Sequence, residues 1–207
     1  MAVICSSSSP RQLRALLTVV DPESIRGVIS FGVAGGLDPT LRSGDVVVAT
    51  EVLAGDTRWA AGLSLSDDLI DKLTSGRRRV VRGCLAGAEE VLVGCSSKAA
   101  LRSETGAAAV DMESHIAAAY AAEAGLPFAA LRVISDPADR ALPALARAAI
   151  KPNGRIDLAT ILRGLVRNPA TLRALVSTGI DFNRALRSLR GCRGFLPGSE
   201  SLVSEAG

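Results

Sequence analysis

Histidine is almost missing from this 207-residue chain, with His115 the single one, and only six residues are aromatic. Recognition of single-stranded nucleic acid leans on several exposed aromatic platforms, so nucleic acid drops out as an expected partner. The four cysteines (Cys5, Cys84, Cys95, Cys192) stand 79, 11 and 97 residues apart and form no CxxC. With one histidine they offer no zinc ligand set, so they read as free thiols and no metal site is expected. No apolar run approaches the roughly 18 residues of a membrane span. The start, residues 1–10, lacks the basic and apolar stretches of a signal peptide, which makes the cytoplasm the expected compartment. The motifs GxxxxGK[ST], GxGxxG, HExxH and GxSxG are also missing. A Ser-His-Asp hydrolase would have to use His115, which has Glu113 nearby and no serine elbow anywhere. A surface or supporting role suits it better.

What the chain does hold is aliphatic: 48% hydrophobic residues against 22% charged, with mean hydropathy +0.29. That balance and length suit one globular domain with a substantial core. The net charge of +3 is unevenly spread, −3 over residues 1–146 and +6 over residues 147–207. Of 24 basic residues, 21 are Arg. A basic end of this kind can face anionic lipid or simply water.

Apolar patterning over the first 136 residues alternates between strand and helix. Strands are expected at 2–5, 27–33, 45–53, 80–85, 90–93, 107–111 and 128–134. Helices are expected at 12–20 after a turn at 6–10, at 67–74 with Ser66 as cap and Gly76 as stop, at 98–105 and at 113–124. The run Phe128 to Ile134 is apolar enough to be buried on both faces. After Asp136 the pattern is helical throughout, at 142–150, 157–166, from Asn168-Pro169 onward, and at 180–189. The expected fold class is α/β, a mixed, mainly parallel central sheet flanked by helices, with a helical C-terminal section. Residues 1–140 form the core and residues 141–207 a helical extension of the same domain.

Three segments carry residue types suited to chemistry. Ser30-Phe31-Gly32-Val33-Ala34-Gly35-Gly36-Leu37 ends a buried strand in small residues. Backbone there can approach a ligand closely, or the glycines simply support a turn. Val110-Asp111-Met112-Glu113-Ser114 leads from a strand into a helix. Glu113 is either a first-turn acid favoured by the helix dipole or a carboxylate that accepts two neighbouring hydroxyls. Met112 offers a flexible apolar surface beside it. Arg132-Val133-Ile134-Ser135-Asp136-Pro137-Ala138-Asp139 puts Asp136 just past a buried strand, where open α/β sheets bind ligands. An acid partly withdrawn from water can donate a proton near neutrality, while the alternative for Asp136 or Asp139 is a helix cap. Arg132, on the same strand, is placed to pair with Glu113.

Together, SFGVAGGLDPTLRSGDVVVAT, VDMESHIAAAYAAEAGLPFAALR and RVISDPAD resemble the family-1 purine nucleoside phosphorylase and nucleosidase superfamily, which includes methylthioadenosine nucleosidase. The match runs from about residue 2 to 140. The end, IKPNGRIDLATILRGLVRNPATLRAL, looks like the hopanoid-associated branch, which is thought to release adenine from adenosylhopane. The resemblance implies N-glycosidic bond cleavage with Asp136 as the acid that protonates adenine N7, supported by Ser135. Glu113 would hold the ribose 2′ and 3′ hydroxyls, Met112 would pack on the sugar, Arg132 would orient Glu113, and Ala34 and Gly35 would line the site. No cofactor is implied, though phosphate is a possible co-substrate in place of water. A homo-oligomer is implied, and the basic C-terminal helices suggest peripheral contact with the inner membrane. Relatives begin with an extra strand, and this chain starts at what would be their second. Val33 stands where methylthioadenosine nucleosidases carry Ser, and Gly94 to Ser97 lacks the Phe that stacks on adenine. The substrate alternatives are an adenosylated lipid or a soluble purine nucleoside; a catalytically silent nucleoside-binding protein is the third reading.

Overall fold

The computed structural model describes residues 9–74, 78–141 and 171–194. In chain order these form α1 (Pro10–Leu17), a 3-10 turn (Pro22–Ser24), β1 (Val28–Gly36), β2 (Val46–Ala54), β3 (Thr57–Ala60), α2 (Leu63–Thr74), β4 (Val80–Gly87), α3 (Cys95–Thr105), β5 (Ala109–Asp111), α4 (Ser114–Glu123), β6 (Phe128–Asp136) and α5 (Thr171–Arg193). The strand order is β3-β2-β4-β5-β1-β6, and β2 also pairs with β6, so five strands close on themselves while β3 hangs on β2. The two longest ladders, β1 with β6 and β2 with β4, are parallel, as is β4 with β5. The pairs β1–β5, β2–β3 and β2–β6 are antiparallel. This is the mixed α/β architecture that the alternating pattern implies.

The two strands at the centre are apolar on both faces because both faces are covered. In β2, Val46, Val47, Val48 and Val52 are fully buried; in β6 every residue from Phe128 to Ile134 is buried. Phe128, Ala130 and Ile134 point to one face, where Ala117, Ala118 and Ala121 of α4 pack against them. Ala129, Leu131 and Val133 point to the other, against Leu69 and Leu73 of α2 and Ala185 and Cys192 of α5. Arg132, the one charged residue in this buried run, therefore points to the α4 side, which is the origin of its role below.

The segment that brings β2 to β6 is fixed by its own side chains. Asp38 Oδ1 accepts from the Thr40 amide at 2.8 Å, Asp45 Oδ2 from the Arg42 amide at 2.9 Å, and Gly44 turns the chain at φ +92°. Short acidic side chains that satisfy nearby amides, and glycine at positive φ, are the usual chemistry of such turns.

Several elements differ from expectation for local reasons. Helix α1 starts at Pro10, inside the expected turn, because Ser9 caps it by accepting from the Gln12 amide at 3.3 Å. Strand β3 is unheralded: Gly55 at φ +55° and Asp56 close a two-residue hairpin onto four residues too few and too polar to show a period. Helix α2 starts at Leu63, so Ser66 is not its cap; the Ser66 amide already bonds Gly62 O at 3.0 Å inside the helix. Residues 90–93 form no ladder, since the chain leaves the sheet after the Ala88 amide bonds Asp111 O and runs on to the α3 cap at Gly94. The expected helix at 180–189 is the middle of α5. The expected strand at 2–5, the stop at Gly76 and the helices at 142–150 and 157–166 lie outside the described residues.

Candidate functional site

Strands β1 and β6 stay in register from Val28 opposite Phe128 to Ala34 opposite Ile134, after which Gly35 faces Asp136. Ser135 is thus an extra residue, a bulge of the kind that re-aims side chains at a strand end. Its hydroxyl lies 2.6 Å from Asp136 Oδ1 and 3.2 Å from the Ala34 carbonyl. A hydroxyl donates one proton and can also accept. Ser135 can therefore donate to an ionised Oδ1, or accept from a protonated Oδ1 while donating to Ala34. On the other side, a Cβ at Gly35 would meet Asp136 Oδ2 at 3.2 Å, so the backbone of β1 sits directly against the carboxyl group.

Lys98, which the sequence reading did not single out, comes to the same carboxyl. Its Nζ lies 2.6 Å from Asp136 Oδ2, 2.9 Å from Pro137 O, 3.2 Å from Arg140 O and 3.3 Å from Asp136 O, four acceptors for its three protons. The lysine is 1% exposed, while the Asp136 side chain keeps 22% exposure. The only trace of this in sequence is that Lys98 is one of three lysines in a chain that otherwise uses Arg.

Glu113 occupies the cap position of α4, yet its side chain makes no capping bond. Its Oε1 is buried and has no hydrogen-bond partner among the described residues. Burial pushes its carboxyl above the ordinary value of 4.5, with the Arg132 charge pulling down and Asp111 adding to the rise. Met112 is half-buried beside it.

The expected pairing of Arg132 with Glu113 is not what the structure contains. Arg132 Nε pairs with Asp111 Oδ2, and Nη2 donates to Ser30 Oγ at 2.6 Å. The Asp111 carboxylate also accepts from the Ser114 amide at 3.1 Å and the Ser114 hydroxyl at 2.8 Å. Arg132 and Asp111 side chains are 2% and 1% exposed. The acid of the VDMES segment held by Arg132 is thus Asp111, the last residue of β5, because the chain has already turned into α4 at Glu113. Arg132 acts on Glu113 through its charge. Gly32 makes room for it: a Cβ there would lie 2.9 Å from Arg132 Nη1.

His115 is buried in α4, its Nε2 lying 3.1 Å from Glu89 Oε1. Glu89 also pairs with Arg14, and these two partners, Arg14 first, hold its carboxyl down to about 2. Cys84, Cys95 and Cys192 are free, and burial pushes Cys84 up to about 11. Among the described residues no group of three or more His, Cys, Asp or Glu could hold a metal ion. Two hollows lie away from Asp136 and Glu113. One, of about 410 Å³, is bounded by Asp45, Arg78, Arg79, Arg184 and Arg187. The other, of about 470 Å³, is bounded by Trp59, Ala118, Ala122, Leu126 and Phe128 among others.

The comparisons with known proteins bear on this arrangement. A sequence model of the phosphorylase superfamily matches residues 9–167. Futalosine hydrolase of Helicobacter pylori is 24% identical with a TM-score of 0.59, covering 65% of this chain and 65% of its own. A Neisseria meningitidis 5′-methylthioadenosine/S-adenosylhomocysteine nucleosidase bound to methylthio-immucillin-A is 23% identical with a TM-score of 0.59, covering 64% and 66%. The corresponding Helicobacter pylori nucleosidase, bound to a pyrrolidine analogue, is 21% identical with a TM-score of 0.65, covering 97% and 78%. The chain thus spans just under two thirds of the first two of these relatives, and the likeness establishes the fold.

Proposed function

The chain belongs to the phosphorylase superfamily, and from that premise we propose that it cleaves the N-glycosidic bond of an adenine nucleoside. The observation that carries this reading is the setting of Asp136. Its carboxyl stands at the carboxyl end of a buried strand, partly exposed, against a serine able to switch between donor and acceptor. Adenine is a poor anion, so its N7 takes a proton as the C1′–N9 bond breaks. Asp136 supplies that proton, and Ser135 follows the change by turning its own hydroxyl from Ala34 O to Oδ1. Glu113 takes the ribose: a buried carboxylate oxygen with no partner is satisfied by the 2′ and 3′ hydroxyls, which are donors. Met112 packs on the sugar, Ala34 and Gly35 line the base side, and Arg132 acts from behind through Asp111. Water attacks the sugar as it becomes oxocarbenium-like, with phosphate the alternative nucleophile. The step requires no cofactor. Residues 1–140 provide this chemistry in our reading, and residues 141–207 extend the same domain.

The finer substrate we propose is an adenosylated lipid, adenosylhopane, giving ribosylhopane and adenine. Support comes from α5, where Leu172, Val176 and Ile180 recur every fourth residue and are 52%, 52% and 56% exposed. Phe182 is exposed on the same helix, and Arg184 and Arg187 follow, facing Arg78 and Arg79 across their hollow. A helix that mixes exposed apolar and cationic groups suits a membrane interface, so peripheral contact with a lipid surface belongs to this reading. A soluble nucleoside is the second reading, favoured by the nucleoside analogues bound in the nucleosidase neighbours.

Asp136→Asn keeps the size and the acceptor toward Lys98 but carries no transferable proton. Adenine release, followed by chromatography, is expected to fall roughly 10²–10⁴-fold with the melting temperature unchanged. Release within a few-fold of wild type would end the assignment of Asp136 as the acid.

A further inference from the structure

Lys98 is an expensive residue to bury, and the structure surrounds it with acceptors alone. Four oxygens lie within 3.3 Å of Nζ, one a carboxylate oxygen and three backbone carbonyls. An ammonium has three protons to give and no lone pair with which to accept. All four oxygens belong to residues 136–140, the stretch that leaves β6, where the Arg140 amide closes a turn on Pro137 O at 3.1 Å. One cation on α3 thus ties down both the end of the bulged strand and the turn that follows it. A guanidinium would serve badly, since its planar fork cannot converge on four oxygens around one point. That explains a lysine here in an arginine-rich chain.

Resting on the proposed function, we infer that Lys98 is a positioning residue that makes the two oxygens of Asp136 unequal. Oδ2 faces a donor that cannot accept, so a proton on the carboxyl has no place there. The proton sits on Oδ1, where Ser135 Oγ can accept its hydrogen bond while donating one of its own to Ala34 O. In the reaction the Oδ1–H bond breaks and an N7–H bond forms, while the C1′–N9 electron pair moves onto the base. The carboxylate left behind is matched by the Lys98 ammonium on Oδ2 and the Ser135 hydroxyl on Oδ1. Water adds its oxygen to C1′, and the proton it loses returns to Oδ1 and restores the acid. Lys98 touches neither base nor sugar in this scheme; it fixes which oxygen faces the base and stabilises the charge produced.

The test is the separate effect of Lys98→Met on kcat and KM for adenine release. The expected result is a kcat lower by on the order of 10–100-fold, as for a misplaced catalytic group, with KM within about threefold and an unchanged far-ultraviolet spectrum. Wild-type kcat in this variant, or a KM that rises in step with the fall in kcat, would overturn the inference. Where Lys98→Met does not fold, Lys98→Arg carries the test, because it keeps the charge. It is expected to lower kcat about 3–10-fold at constant KM, its fork holding the same oxygens less well. No loss of kcat, or equal changes in both constants, would again overturn the role. A wild-type chain that releases no adenine from any nucleoside would instead count against the proposed function.

Discussion

Glu113 carries a conflict between burial and hydrogen bonding. Its Oε1 is buried without a partner, and burial lifts its carboxyl above the ordinary value of 4.5. A group whose folded-state value is raised adds stability below its unfolded value and loses it as pH rises through the folded one. The wild-type chain is therefore expected to lose stability as pH rises past the ordinary value of 4.5, where it must ionise a buried carboxyl whose Oε1 lacks a partner among the described residues. Glu113→Gln removes the charge. At pH 7 and above this variant is expected to melt roughly 2–4 °C higher, corresponding to about 1 kcal/mol for a chain of this size. The gain should vanish by about pH 4, where the wild-type side chain is itself neutral. The same substitution should lower kcat/KM roughly 10–100-fold, the worth of charged hydrogen bonds to the ribose hydroxyls. Melting curves at the two pH values together with one kinetic assay check this. A melting temperature that falls at pH 7 would show that Glu113 has a structural partner, and ligand binding would not then be its purpose.

At the scale of elements, the junction of β5, α4 and β6 rests on one buried ion pair. Arg132 of β6 reaches across Gly32 of β1 to Asp111 at the end of β5, and Asp111 also holds the first amide of α4. Removing one partner strands the other charge in the core. Arg132→Met is expected to cost about 3–5 kcal/mol in denaturant unfolding, far more than a surface arginine. A loss below 1 kcal/mol would mean that water reaches Asp111 freely. Much of this architecture was readable in advance. The unbroken apolar run of β6 and the β-branched run of β2 announced strands covered on both faces, and Gly106 and Gly125 marked the ends of α3 and the α4 segment. The motif segments also placed Ser135 and Asp136 at a strand end. What could not be read was register. Whether Arg132 meets Asp111 or Glu113 depends on where β5 stops and α4 begins, a matter of one or two residues. The Ser135 bulge depends on pairing with β1, and the approach of Lys98 depends on how α3 crosses the end of β6. Strand β3 left no trace because its four residues are stabilised by the hairpin at Gly55 and not by any apolar period of their own.

Over the whole molecule, the proposed acid and the exposed apolar and cationic groups of α5 belong to different elements. Asp136 ends β6 opposite Gly35 of β1, whereas the exposed Leu172, Val176 and Ile180 and the arginines at 184 and 187 belong to α5. Among the described residues no helix is long and apolar enough to cross a membrane. A lipid-linked substrate would join the two regions, its nucleoside end at the acid and its apolar end along α5.

The most direct test of the account is adenine release by the 207-residue chain in phosphate-free buffer. It would be measured on adenosylhopane and on 5′-methylthioadenosine, and repeated with phosphate added. Release is expected without phosphate, faster from the lipid-linked nucleoside, with no acceleration when phosphate is present. Absence of adenine from both substrates under both conditions would contradict N-glycosidic cleavage as the function of this chain.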